Sequence, residues 1–395
     1  VRPAPGAALL LLCAACAGPQ ETVPRESVAA EVGEERIERL EALGYVGYSI
    51  EKADPDKQGA YVLDADRVQP GYSLYTSGTL CTADLIDLRG NVVRSWRDDP
   101  CEKWSHVELI AGGDVLIPGK DPQGRYLMRM GFDGAVVWKR RIAAHHDADM
   151  TPDGDLVALA VRDRHEPEYD PAAAIIDCEI VRLTPDGEPL ETVSLYDVVA
   201  GDASHELIRV ERRERAPRID LFHCNSVEWV RRPDLAARDP RFRDELVLVS
   251  TRYQDRVYLI DWARRELAWS WGRGEISGPH DATLLGNGNV LLFDNGLERG
   301  WSRVVEVDPR TDEIVWSYGE PGAGSFFTEA RGASQRLPNG NTLVSNSNSG
   351  HAFEVTPQGD VVWEFWNPRF NDEGHRAILV RMKRYPAETV GLPRP

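Results

Sequence analysis

From about residue 70 the chain alternates apolar and polar positions in short runs, separated by turns rich in Gly, Asn and Asp. A period of two predicts half-buried strands rather than helices. The runs fall into six similar units. The first holds Tyr72-Ser73-Leu74-Tyr75, Leu85-Ile86-Asp87 and a run ending at Trp96, and the second Val115-Leu116, Tyr126-Leu127-Met128 and Val136-Val137-Trp138. Residues 146–195, 223–271, 280–316 and 332–366 form the others. Units of about 30–50 residues with four strands each are the signature of a β-propeller, so the chain is expected to be all-β with six blades. The first unit lacks an innermost strand. Residues 377–382, an apolar run near the C-terminus, are expected to supply it and close the ring, leaving no sheet edge exposed. Residues 231–244 read as a surface loop on the fourth blade. The connector 201–219, with Glu211-Arg212-Arg213-Glu214-Arg215, reads as solvated.

The pattern differs before residue 70. Residues 1–17 read as an export signal: Arg2, then a short apolar run with four leucines, too short to span a bilayer. Ala14-Ala15-Cys16 resembles a lipoprotein cleavage site that would leave a lipid anchor on Cys16. Cleavage after Ala17 is the rival reading, and either exports the protein, to the periplasm or to a membrane-anchored lipoprotein. Residues 18–69 read as a charged tether. Within it Val32, Ile37, Leu40 and Leu43 at helical spacing predict a short amphipathic helix capped by Gly44. The propeller domain is expected over 70–395.

The formal net charge of −18 argues against a nucleic-acid partner, which needs a basic face. Outside the signal stand Cys81, Cys101, Cys178 and Cys224. A bond between Cys81 and Cys101 suits an oxidising compartment, and isolated buried thiols are the equal alternative. Without Cys-x-x-Cys a thiolate zinc site is not expected.

Three units carry a histidine shortly before a turn. His146 opens His-Asp-Ala-Asp, His223 opens His-Cys-Asn-Ser and His280 opens His-Asp-Ala-Thr; a fourth copy has Gly332 in that place. Innermost strands line a propeller's channel, so the three imidazoles are expected to ring its mouth on blades three, four and five. His106 lies one residue out of frame, as does His145, and one residue reverses a strand side chain, so both are expected to face away.

Phe222-His223-Cys224-Asn225-Ser226-Val227, Ser250-Thr251-Arg252-Tyr253-Gln254-Asp255, Pro279-His280-Asp281-Ala282 and Arg381-Met382-Lys383-Arg384-Tyr385 together resemble the bacterial arylsulfate sulfotransferases. The resemblance covers the chain from about residue 70 and is most specific in blades three to five. It implies an exported six-bladed propeller that transfers a sulfuryl group from an aryl sulfate ester to a phenolic acceptor without a nucleotide donor or other cofactor. The histidine that becomes sulfated in that family is similar to His280. The His-x-Asn pair matches His223 and Asn225, the arginine on the next strand matches Arg252, and the remaining channel histidine matches His146. The chain departs from the family in having no cysteine over residues 262–279, where those enzymes carry a disulfide.

The residue types suit this chemistry independently. Sulfuryl transfer resembles phosphoryl transfer, with charge on the non-bridging oxygens, so catalysis is mostly positioning and electrostatics. A neutral imidazole can attack sulfur. Arg252 offers a planar fork to sulfonate oxygens, and Asn225 an amide donor. A second histidine can carry the phenolic proton; that role falls to His146, and oxygen binding to His223. Structural readings compete: Asn225 shaping a turn, Arg252 paired with Asp255 or Glu245, Asp147 and Asp281 bonded either to the rings or to backbone. Trp96, Trp138, Trp269, Trp316 and Trp363 read as packing. Two other functions stand beside the enzyme: a metal held by the histidine ring, which Arg252 would oppose, and a non-enzymatic binding platform. The oligomeric state is not legible.

Overall fold

The computed structural model describes Val1 and residues 47–392, apart from 111, 211–217 and 323–324. The export signal, the helix expected near residues 31–43 and the basic-acidic run 211–215 lie outside the described residues.

The strands assemble as six blades of antiparallel strands, the third with one short parallel strand, Arg218–Asp220, added, so the chain is an all-β six-bladed propeller. In the fourth blade Cys224–Val230, Leu246–Thr251, Arg256–Asp261 and Glu266–Trp271 pair in order, and in the fifth His280–Leu284, Val290–Asp294, Arg303–Asp308 and Glu313–Tyr318. Second strands such as Leu246–Thr251 and Val290–Asp294 are buried along their whole length, because both faces meet neighbouring blades. Their Val- and Leu-rich runs follow from that double burial.

The outer-strand tryptophans pack and also join blades. Each indole Nε1 donates to the outer turn of the next blade: Trp96 to Gly131 O (2.9 Å), Trp138 to Pro185 O (3.1 Å), Trp269 to Asp312 Oδ1 (2.8 Å), Trp316 to Pro357 O (3.2 Å) and Trp363 to Leu88 O (2.8 Å). A buried indole needs an acceptor, and the turn supplies one without breaking the sheet.

The ring closes in the first blade, where Met382–Tyr385 pairs with Tyr72–Thr76 as the innermost strand. This corrects the expected 377–382. Ala377 instead pairs with Tyr48, in a small sheet of Tyr48–Lys52 with His375–Ala377. The apolar run was the wrong guide, because the closing segment is held by ion pairs. Arg381 reaches Asp147 and Asp281, Lys383 reaches Glu108 (2.8 Å), and Arg384 pairs with the buried Glu354.

Of the two courses open to the tether, docking on the main domain or staying mobile, its described part takes the first: Tyr48–Lys52 forms that small sheet, and Gly59–Val62 adds a fifth strand outside Val361–Trp366. Two further expectations change. Residues 231–244 are not wholly surface, since two short 3₁₀ turns bury Leu235 and Phe242 in the core between blades four and five. The described part of the connector is docked, with Ile208 N donating to Gln254 Oε1 (2.8 Å) and Val210 N to the Tyr169 hydroxyl (2.8 Å).

Two disulfides join Cys81 to Cys101 and Cys178 to Cys224. The first resolves the open choice in favour of pairing; the second, between blades three and four, was not foreseen. Their separations of 20 and 46 residues correspond to about 3 and 4 kcal/mol in the chain-entropy account. We therefore expect no free thiol from these four cysteines when denatured, unreduced protein is titrated, and Cys178→Ser to lower the midpoint of thermal unfolding. Free thiol at any of the four would remove the corresponding bond.

Lower in the channel two carboxyls lie close to the axis. Burial and the nearby Glu108 push Asp149 up to about 7; burial, with a further contribution from Asp149, pushes Glu228 up to about 8. A carboxyl with a raised folded-state pKa favours folding below its unfolded value near 4 and loses that contribution as pH rises through 7–8. Glu228→Gln keeps an acceptor for Leu284 N, which Glu228 Oε2 now holds at 2.7 Å. We expect this variant to unfold at a higher temperature than the parent at pH 8.5 and at nearly the same temperature at pH 5. Equal melting at both pH values would mean that Glu228 is ionised in the fold.

Candidate active site

The site forms where the innermost strands of blades three, four and five begin. Each starts with a break in register: between Ala144 and Ala148, between Cys224 and Ser226, and between His280 and Thr283. Left-handed backbone accompanies it at His146 (φ 59°), His223 (φ 47°) and Asp281 (φ 52°). Non-glycine residues in this region are uncommon, and bulges of this kind re-aim side chains near functional sites.

The bulges change which residues are equivalent. Between blades, Val227 N donates to Asp147 Oδ2 (3.0 Å), Ala282 N to Ser226 Oγ (3.0 Å) and Ser334 N to Asp281 Oδ2 (2.8 Å). Asp147, Ser226 and Asp281 therefore occupy one position, and the residues before them are His146, Asn225 and His280. His223 enters from two residues upstream. In the sixth blade Gly332 has φ 99°, and a Cβ there would lie 2.3 Å from Phe293, so that blade has no room for a side chain in the histidine place. The bulge also overturns the expectation for His145: its buried ring packs on His146 with centroids 4.8 Å apart. His106 is buried on the axis, with Nε2 2.7 Å from Glu108 Oε2.

His146 and His223 are in ring contact at 4.9 Å, and His223 meets Tyr253 at 5.0 Å. Arg252 N bonds His223 O (3.2 Å), which sets the guanidinium-bearing strand beside that histidine. The Arg252 stem packs on Gly278, where a Cβ would lie 3.8 Å from its Cγ, two residues before His280. Arg252 is 6% exposed; its Nε has no hydrogen-bond partner, and no carboxylate lies at ion-pair distance among the described residues. The alternative pairing with Asp255 or Glu245 is absent: Asp255 Oδ1 accepts from Gly278 N at 2.6 Å. Asn225 is engaged with protein, its Nδ2 donating to Pro279 O (2.8 Å) and its Oδ1 accepting from Ser250 Oγ (2.5 Å). Its amide thus fixes the backbone immediately before His280.

Burial, followed by the Arg252 guanidinium, holds His280 well below the ordinary histidine range. Burial and the neighbouring histidines do the same for His146. Both rings are neutral at neutral pH, as a nucleophile must be. His280 Nδ1 faces Asn295 Oδ1 (2.8 Å) and Gly278 O (3.0 Å). His223 differs in having a carboxylate partner, Asp220 Oδ2 at 2.6 Å from Nδ1. Burial pushes Asp220 up, but the His223 imidazole and the bonds His223 makes outweigh it and leave that carboxyl below its usual value. Asp147 and Asp281 bond backbone and Arg381 rather than the rings, which decides that alternative.

Sequence reasoning missed Asp220, Asn295 and Tyr253. Asp220 lies three residues before His223, and that spacing was the available signal. Asn295 had none, being brought to His280 only by strand pairing. Among the described residues no group of three or more His, Cys, Asp or Glu side chains is disposed to hold a metal ion.

Among solved structures, a protein of unknown function from Bacteroides caccae resembles the chain with a TM-score of 0.51 and 16% identity, over 80% of this chain and 98% of that one. A streptogramin B lyase follows at 0.47 and 9%, over 86% and 97%. Virginiamycin B lyase from Staphylococcus aureus stands at 0.44 and 11%, over 81% and 87%. The first of these likenesses speaks to the fold alone. No curated protein sequence matches the chain. The family model for arylsulfotransferase (ASST) matches residues 108–368, more than half of the sequence and all of the blades that build the site. The chain belongs to the arylsulfotransferase family.

Proposed function

We propose that this aryl sulfotransferase works through a sulfated His280, taking the sulfuryl group from an aryl sulfate ester and passing it to a phenol in two half-reactions. The observation that carries the reading is a buried, neutral imidazole beside a buried guanidinium that has no anionic partner at ion-pair distance among the described residues. Family membership supports the coarse activity, an aryl sulfotransferase without a nucleotide donor.

In the first half-reaction the Nε2 lone pair of His280 forms the N–S bond while the S–O(aryl) bond breaks. Arg252 binds the sulfonate oxygens, whose charge persists in the transition state. The departing phenolate oxygen takes a proton from protonated His223. In the second, His223 recovers a proton from the incoming phenol, whose oxygen forms the new S–O bond as N–S breaks. We assign proton transfer to His223, not His146 as expected from the sequence. Asp220 bonds Nδ1 of His223 and turns its Nε2 toward the opening, whereas burial and the neighbouring histidines hold His146 neutral, suited to offering an N–H to a sulfonate oxygen. Asn225 acts on the His280 backbone. An exported location, lipidated at Cys16 or not, suits two disulfides.

Purified protein incubated with a chromogenic aryl sulfate should release phenolate and gain the mass of one sulfuryl group, and His280→Ala should abolish both. Unchanged turnover in that variant would remove the nucleophile assignment; turnover without an adduct at any quench time would favour direct transfer. His223→Ala should slow the first half-reaction by about 10²–10⁴-fold for donors with basic leaving groups, and much less for 4-nitrophenyl sulfate. An equal loss across leaving groups would take His223 out of proton transfer.

A further inference from the structure

The mechanism above uses only Nε2 of His280, and Nδ1 points into a part of the fold no motif marked. Asn295 follows the second strand of the fifth blade, Val290–Asp294, and is fully buried. Its Nδ2 donates to two backbone carbonyls, Thr328 O (2.8 Å) and Arg331 O (2.7 Å), in the segment entering the sixth blade. Both amide hydrogens are then used. The opposite amide orientation would set Oδ1 against two carbonyl oxygens, so Oδ1 must face His280. The second neighbour of Nδ1, Gly278 O, is also a carbonyl. Nδ1 therefore sees two acceptors and no donor, and in a neutral ring it must carry the hydrogen.

The surroundings fix this arrangement. Ser302 Oγ donates to Asn295 O (2.9 Å), and the preceding Asp294, 0% exposed, accepts from Ser277 N (3.0 Å) and pairs with Arg299 (2.8 Å) and Arg303 (2.9 Å). The strand end cannot turn without breaking these bonds.

We infer that Asn295 is a positioning residue that sets the tautomer of His280, and thereby directs the sulfuryl group to Nε2. The choice of an amide has a chemical consequence. A carboxylate in the same place would draw a proton onto the ring and fill the lone pair that attacks sulfur. An amide oxygen orients Nδ1–H without adding charge. Once the N–S bond forms, the ring bears the positive charge of a sulfoimidazolium. A neutral acceptor stabilises that cation less than a carboxylate would, so the group remains transferable.

This inference rests on the sulfohistidine reading, and the two can fail separately. Protein labelled with ¹⁵N-histidine, with His280 assigned by its loss in His280→Gln, reports the tautomer without any substrate. We expect the Nδ1–H form in the parent and a mixture of tautomers in Asn295→Ala and Asn295→Ser. An Nε2–H tautomer in the parent, or an unchanged spectrum in folded variants, overturns the inference whatever the activity. With 4-nitrophenyl sulfate, the parent adduct should lie on Nε2. The variants should form it about 10-fold more slowly, the worth of one hydrogen bond, with KM little changed. A loss confined to KM, or an adduct on Nδ1 of the parent, counts against Asn295. A parent with the expected tautomer but no adduct sinks the sulfohistidine chemistry and leaves the tautomer assignment standing. Should Asn295→Ala fail to fold, Asn295→Ser and the parent spectrum still decide.

Discussion

Arg381 is the pin on which the site turns. It is 6% exposed, and Nη1 lies 3.2 Å from Asp147 and 3.1 Å from Asp281, while Nη2 reaches Asn225 O at 3.4 Å. These three contacts belong to blades three, five and four. Asp147 follows His146 and Asp281 follows His280, so one guanidinium holds the residues next to two of the site histidines at a set spacing. A buried ion pair of this sort is weak evidence for net stability, since desolvation offsets much of the attraction. Its value lies in geometry: leaving either aspartate without the arginine would strand a buried charge, so the blades cannot drift apart cheaply. The pin comes from the C-terminal segment that closes the ring, which makes ring closure and site assembly one event.

Around that pin the bulges do the aiming. A regular strand would alternate its side chains, and His145 and His146 would face opposite ways. Left-handed backbone at His146 and His223 breaks the alternation and turns a row of rings toward one opening. The cost of such backbone, on the order of 1–3 kcal/mol each, is tolerated because interblade bonds from Val227 and Ala282 hold the neighbouring positions.

Fold and site were unequally legible from the chain. The six units could be read because each strand repeats an apolar alternation and each outer strand carries its tryptophan. The innermost strand of the first blade could not, because Arg381, Lys383 and Arg384 look like surface residues until their partners Asp147, Asp281, Glu108 and Glu354 are known. His146, His223, His280, Asn225 and Arg252 were legible as a set because a repeated pattern and a family resemblance pointed to them together. Their roles were not. Asn225 reads as a ligand-binding amide in sequence, yet both ends of its amide are occupied by Pro279 and Ser250. The carboxylate that distinguishes His223 from His146 sits at Asp220, on a short strand whose pairing with Ala174–Leu183 is parallel and long-range.

The contrast between the two buried arginines near the site explains how an anionic protein can receive an anionic ester. Arg381 is neutralised by two aspartates, and deeper in the channel Lys383 is neutralised by Glu108. Arg252 has no such partner among the described residues, and His280 beside it is held neutral. Against a net charge of −18, a guanidinium with no bonded carboxylate in a poorly solvated pocket is a strong local attractor, since its field is little screened there. A sulfonate that reaches it gains an ion pair without displacing a protein carboxylate. The same charge disfavours protonation of His280, so the group proposed to bind the anion also keeps the proposed nucleophile in its reactive form.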